Sequence, residues 1–500
     1  MKTYKELKEE VLHKPRRVLF DNDGGDVAIQ CKEATAQELL SKRTVQLVGS
    51  GVDTLIYTTR SSGFGQFTHN TINGQLFGVT ADRYENNIAH KLVAQGTDCL
   101  EIVLNFCHAN NLELFWGMRM NDTHDASNQP GPIACFYNNK IKSEHPERLL
   151  KNRAKNQKYG AWSAVDYAIE DIREYAYRFV EEICDNYDID GIELDFFRHP
   201  VFFTTTAEGY PATQEECYMM TELMVRIKEY IIRKSVERQR AILFAIKVPD
   251  SLDYAKTIGL DLKAWLEKGL PDIIITGGYF KMNDHPYSVL LANEYDVKYI
   301  ASLDENRIAD EKARADRDSV KCYRARAQTA FSAGADGVFL FNYNANDLRG
   351  YSGDNSSVTR DMADPEKMKT KDKDYFVSIR GMGVAAGRNY PYTEFLNIPV
   401  LNPAIPAKAD EQGNVIVYIM IGEDVKGNGG KADLCIRWKE RPLNAKVFVN
   451  GFETVYKNDE GIYSLYEIDP DYLVTGRNDI KVSFMVDARL EDMKISVRYS

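Results

Sequence analysis

Eight short apolar runs of β character recur along this chain: Val18–Asp21, Thr54–Thr59, Leu112–Met118, Gly191–Phe196, Ile242–Val248, Asp272–Thr276, Lys298–Leu303 and Gly337–Phe341. Helical patterns lie between most of them. Ala164–Asn186 places Val165, Ala168, Ile169, Ile172, Ala176, Phe179, Val180 and Ile183 close to the spacing of one helix face. Glu215–Ser235 and Arg317–Ala333 behave alike. Parallel strands need long crossovers, and helices supply them, so alternating strand and helix implies a parallel sheet covered by helices. Eight such units predict a (β/α)8 TIM barrel, which takes ~250 residues or more. Ser61–Asn111 and Asn121–Ser163 are then expected as large loops or insertions on the face that carries function.

The pattern fades after about Tyr343. Asn344–Lys373 reads as the last loop and Asp374–Ala386 as a final helix. Pro399, Pro403 and Pro406 then punctuate a linker. Beyond it, Val415–Ile421, Ala432–Trp438, Ala445–Val449, Gly461–Glu467 and Asp479–Val486 alternate with period two, with turn residues such as Asn450-Gly451 between them. The expected organisation is a barrel domain over residues 1–390 followed by a small all-β sandwich domain over 391–500.

Composition narrows the function. A net charge of −11, with 63 basic against 74 acidic residues, argues against a nucleic-acid or membrane-surface partner, which calls for a basic face. No run reaches the length of a transmembrane helix. The charged opening Met1–Glu10 has no apolar signal-peptide core, so the expectation is a cytoplasmic protein, or a periplasmic or secreted one whose signal has been trimmed. The eight cysteines lack a Cys-x-x-Cys pair and read as reduced core thiols. The eight histidines lack ligand spacing, so neither a metal site nor a cofactor is expected.

Barrels of this kind work at the C-terminal ends of their strands. Those ends are polar on every strand: Asp21 and Asp23 on the first, Arg60 on the second, Arg119 and Asn121 on the third. The fourth gives Glu193, Asp195, Arg198 and His199, the fifth Lys247, the sixth Tyr279, the seventh Asp304, the eighth Asn342 and Tyr343. Arg119, Asn121, Asp195, Lys247 and Asp304 fall on the inward register. Asp21, Asp23 and Asp26 also invite a cation, but a clamp on sugar hydroxyls fits Asp21 and Asp23 better.

The fourth strand is the most informative. In Asp190-Gly191-Ile192-Glu193-Leu194-Asp195-Phe196-Phe197-Arg198-His199-Pro200, Ile192, Leu194 and Phe196 share one face and Glu193, Asp195 and Phe197 the other. Two inward carboxylates would have Cα atoms about 6.6 Å apart, and burying them perturbs at least one pKa. Asp190, Gly191, Ile192, Leu194, Asp195, Phe196, Arg198 and Pro200 match the fourth strand of the family-10-like glycosyl hydrolases, and the chain resembles that family. The C-terminal segment, with Val447–Gly451 and Gly476–Ile480, resembles the β-sandwiches appended to polysaccharide-degrading enzymes.

The resemblance implies a glycoside hydrolase acting on an oligo- or polysaccharide through two carboxyl groups. Asp195 would be the ionised group, and Glu193 or Asp304 the proton donor. Arg60, Arg119, Arg198, Lys247 and Arg307 at the mouth of an acidic protein hint at an anionic glycan. Two other readings stay open: a polysaccharide lyase or other barrel enzyme with Lys247 or Tyr279 as base, and a non-catalytic glycan-binding protein. Phe197 is a chitinase-type departure, because the proton-donating Glu of those enzymes is missing there.

Overall fold

The computed structural model describes the chain except for residues 60–62, 79–83, 85, 128–138, 279, 304–307, 344–355, 380–389, 443, 485–487 and 500, and the side chain of Ser356. Eight parallel strands close into a barrel: β1 Val18–Asn22, β2 Thr54–Thr58, β3 Glu113–Arg119, β4 Gly191–Asp195, β5 Leu243–Val248, β6 Ile273–Thr276, β7 Lys298–Ser302 and β8 Gly337–Phe341. Each pairs with its neighbours in chain order, and β8 pairs back onto β1. The expected TIM barrel is present, with strand limits within a residue of those read from the sequence.

Helices follow the strands. Among them are α1 Tyr4–Leu12 before the barrel, α2 Ala36–Arg43, α3 Cys99–Ala109, α4 Glu170–Asn186, α5 Gln214–Glu237, α6 Leu262–Glu267, α7 His285–Glu294, α8 Glu311–Arg317, α9 Val320–Ala333 and α10 Ser356–Ala363. The stretch between β2 and β3, expected as loop, therefore contains the barrel helix α3. The helix expected to begin at Ala164 begins at Glu170, because Val165 is drawn into an isolated bridge with Leu149.

The barrel interior is apolar in its lower part. Leu19, Ile56, Phe115, Leu243, Ala245, Ile273, Ile275, Ile300 and Phe339 form one cluster, plugged from below by Leu12 of α1. Above this layer the inward positions turn polar. Arg119, Asp195 and Lys247 lie in register on β3, β4 and β5, with Gly117, Glu193 and Ala245 in register one layer below.

The C-terminal part is an all-β sandwich of two antiparallel sheets. Its strands are β9 Lys373–Phe376, β10 Asn414–Ile421, β11 Lys431–Glu440, β12 Lys446–Val449, β13 Val455–Glu460, β14 Tyr463–Ile468, β15 Gly476–Ser483 and β16 Arg489–Arg498. One sheet runs β9–β16–β11–β14–β13, and the other runs β10–β15–β12 with Phe452–Glu453 at its edge. Where the sequence suggested a final helix from Asp374, the chain instead forms β9, pairing Lys373–Phe376 with Lys494–Val497. The sandwich packs against α8 and α9. Arg317 makes a two-pronged pair with Asp492 at 2.6 and 2.8 Å, and Arg437 reaches Asp310 at 2.8 Å.

Candidate active site

Among the described residues, the carboxyl groups of Asp21, Glu193 and Asp195 meet the cations Arg119 and Lys247 at the barrel mouth. Strand alternation turns Glu193 and Asp195 inward together, with exposures of 1% and 8%. Asp21 enters from β1, and Thr58 of β2 donates to its Oδ1 at 3.3 Å. Arg119 and Lys247 flank Asp195 on the neighbouring strands. The ammonium of Lys247 sits 4.1 Å from the ring centre of Phe339, and the Arg119 guanidinium 5.6 Å from that of Phe341. The aromatic layer beneath thus supports both cations.

The three acids are not equivalent. Asp195 Oδ1 accepts the backbone N–H groups of Phe197 at 2.8 Å and Arg198 at 2.9 Å. Those bonds fix its rotamer and suit a carboxylate acceptor. Burial pushes Asp21 up to about 7, with Asp195 and Asp23 adding to the rise while Lys247 and Arg119 oppose it. Burial also carries Glu193 well above the carboxylate range, followed by the nearby Asp195 and Asp21. Its Oε1 is buried without a hydrogen-bond partner among the described residues. Burial thus favours the protonated form of Glu193 most strongly and that of Asp21 less so.

A second group forms where the loops after β3 and β4 meet. Asp122 Oδ2 accepts from Arg119 at 3.1 Å, and Asp122 Oδ1 pairs with His124 Nδ1 at 2.7 Å. Arg198 Nη2 donates to His124 Nε2 at 2.8 Å. The Thr123 backbone N–H donates to His199 Nδ1 at 3.1 Å. Burial would raise Asp122, but His124, Arg119 and His199 hold it well below its ordinary range. Burial, with Arg198 and His124 beside it, keeps His199 well below the usual histidine value and hence neutral. These histidines lack ligand spacing along the chain, yet the nearest ligand atoms of Asp122, His124 and His199 lie within 4.8 Å of one another. They meet because β3 and β4 are adjacent strands.

Other residues singled out by sequence take supporting positions. Asn121 is buried in the loop packing, its amide donating to the carbonyls of Val165 and Val201 and accepting from Val165 N–H. Asp23 and Asn342 bond each other at 2.9 Å and share Arg43, which also reaches Asp26 at 2.6 Å. A guanidinium thus takes the centre of the aspartate loop that invited a cation. Arg43 was missed by sequence reading, because on α2 beside Lys42 it looks like an ordinary helix surface charge. Tyr343 packs edge-on against Tyr323 of α9, with ring centres 4.6 Å apart. Phe197 is buried against Phe280, which stacks on Tyr392 at 3.7 Å. Arg60, Tyr279, Asp304, Glu305 and Arg307 lie outside the described residues.

No protein-family model matches the chain, and no curated protein matches its sequence. Several solved structures resemble it. An Anoxybacillus α-amylase, described as pointing to a new glycosyl hydrolase subclass, is 11% identical over 97% of this chain and 100% of that one, with a TM-score of 0.40. The α-amylase of Geobacillus thermoleovorans is 10% identical over 97% and 100%, with a TM-score of 0.41. The PgaB glycoside hydrolase domain of Bordetella bronchiseptica is 9% identical over 70% and 99%, with a TM-score of 0.42. These neighbours are glycoside hydrolases. Likeness at this level is one of broad architecture, so the chemistry rests on this chain's own side chains.

Proposed function

We propose that this protein is a glycoside hydrolase that cleaves an oligo- or polysaccharide at the barrel mouth with Asp195 and Asp21. One observation carries the reading. Two carboxyl groups enter the same mouth from β4 and β1, one held as an acceptor by two backbone N–H groups, the other lifted to about 7. Glycosidic cleavage asks for that division: an ionised group to attack the anomeric carbon or activate water, and a protonated group to donate to the leaving oxygen.

In this reading Asp195 is the ionised group, and Asp21 donates the proton. Glu193 lies a layer deeper than Asp195 and stays protonated by burial beneath it, without touching the sugar. Arg119 and Lys247 offset the carboxylate charge. The strand-4 likeness to the family-10-like glycosyl hydrolases points the same way.

The test is a reducing-sugar and mass-spectrometric screen of wild type and Asp195→Asn against neutral and acidic glycans. Turnover by wild type that drops by about 10³-fold or more in the variant supports the reading. Products that absorb as unsaturated sugars would replace it with a lyase, and turnover surviving in the variant would move the chemistry away from β4.

A further inference from the structure

The Asp122–His124–His199 group resembles a cation site by composition, but the hydrogen bonds of its two imidazoles leave no ring lone pair to offer. A backbone N–H is always a donor, so Thr123 N–H at 3.1 Å obliges His199 Nδ1 to accept. A neutral imidazole then carries its proton on Nε2, which makes that edge a donor. On His124, Nδ1 faces Asp122 Oδ1 at 2.7 Å and Nε2 faces Arg198 Nη2 at 2.8 Å, so both ring nitrogens are engaged. The remaining carboxylate oxygen, Asp122 Oδ2, is taken by Arg119 at 3.1 Å. Two guanidinium groups beside the cluster further oppose a divalent ion.

What the cluster presents is a set of donors. His199 Nε2 has no hydrogen-bond partner among the described residues. Thr123 is 1% exposed, and its buried hydroxyl likewise has none. Arg198, close to His199 and bonded to His124, adds a permanent charge. His199 adopts a φ of 56°, a left-handed conformation that a non-glycine residue takes at a cost, and this places its ring at Thr123. The Arg198 backbone N–H bonds Asp195 Oδ1 at 2.9 Å, so the group adjoins the carboxylate of the proposed chemistry.

We propose that Arg198, His199 Nε2 and Thr123 Oγ1 form a subsite for the acidic oxygens of a sugar, a carboxylate or a sulfate ester, and that the substrate is an acidic glycan. The proposal rests on the hydrolase reading for its substrate but not for its binding chemistry. Guanidinium, imidazole N–H and hydroxyl together donate charge-assisted bonds to an oxyanion and have nothing comparable to offer a neutral hydroxymethyl group.

The test is calorimetric titration of the full-length Asp195→Asn protein, which binds without turnover. The probes are glucuronate, galacturonate and glucose 6-sulfate, each against its neutral parent sugar, at low and high salt. At least one acid should bind about tenfold or more tighter than its parent, as a charge-assisted bond warrants, and weaken with salt. Which acid does so separates carboxylate from sulfate. Adding Arg198→Gln, or the gentler Thr123→Val, should shrink that preference while the thermal midpoint stays near that of the parent protein.

Equal affinity for acid and parent, or a preference untouched in both folded variants, overturns the subsite. Zinc-dependent stabilisation that Asp122→Asn abolishes overturns it as well, because the cluster would then hold a cation. Wild-type turnover confined to neutral glycans and lost in Asp195→Asn sinks the subsite and spares the hydrolase. Acid binding with no turnover of any glycan does the reverse.

Discussion

Gly117 lies beside Glu193 in the register of β3 and β4, and its missing side chain is what gives the Thr58 hydroxyl room. A Cβ there would stand 2.3 Å from Thr58 Oγ1, 3.0 Å from Ile56 Cγ2 and 3.4 Å from Glu193 Oε2. The first contact is impossible without moving Thr58, which donates to Asp21. Gly117→Ala should therefore destabilise the fold by about 1–3 kcal/mol through overpacking, and should depress turnover by displacing Asp21. Urea denaturation beside a rate assay checks both, and an unaltered variant would mean that the layer has slack this geometry does not show.

Glu193 offers a pH test of the buried layer. Its carboxyl is held above the range of an unfolded chain, so folding favours the protonated form. That contribution is complete below about 4.3, the ordinary glutamate value, and is lost as pH rises toward the raised folded value. Glu193→Gln mimics the neutral acid and has nothing to ionise. The variant should gain stability relative to wild type as pH rises from 5 to 8, read as a growing difference in thermal midpoint. A constant difference across that range would show that Glu193 is not held protonated.

Much of this arrangement was legible in the sequence, for local reasons. Short apolar runs between helical patterns marked the barrel strands, and strand alternation alone turned Glu193 and Asp195 inward. What escaped was set by distant partners. Lys373-Asp374-Tyr375-Phe376 becomes a strand because Ile495 and Val497 lie at the other end of the chain to pair with it. The raised proton affinity of Asp21, expected only as a sugar clamp, escaped because burial sets it and Lys247, Arg119 and Asp195, all from other strands, modify it. The donor cluster at His199 needed the loops after β3 and β4 to be set against each other, which no spacing along the chain expresses.

Asp21 makes the pH dependence of turnover specific. As proton donor it must be protonated, so kcat/KM should fall as pH rises through about 7. Asp21→Asn should cost about 10²–10⁴-fold and remove that limb, leaving a flat alkaline profile. A limb that persists in the variant would assign it to another group.

Lys247 tunes the same limb. Its ammonium favours the ionised form of Asp21 and so pulls its pKa down. Lys247→Met keeps length and apolar contact with Phe339 but drops the charge. The alkaline limb should then move to higher pH, beyond the wild-type midpoint near 7. A shift to lower pH would contradict the assignment, because losing a nearby cation cannot make a carboxylic acid stronger.

Arg317 and Asp492 tie the sandwich to the barrel, with exposures of 4% and 0%. Arg317 ends α8 and also donates to the carbonyl of Val377 at 3.0 Å, while Arg437 and Tyr463 of the sandwich bond Asp310 and Asp316 at 2.8 Å each. Both ends of α8 are therefore held by the C-terminal sheets, and α8 follows the residues after β7. Removing one partner of a buried pair strands the other charge, so Asp492→Asn should cost about 3–5 kcal/mol. Replacing both, Arg317→Met with Asp492→Leu, should recover most of that loss, since no charge is left buried. Because α8 leads from the β7 end of the mouth, the single variant should also raise KM, with the double variant restoring it. Stability lost without any change in KM would show that the sandwich braces the barrel without shaping its mouth.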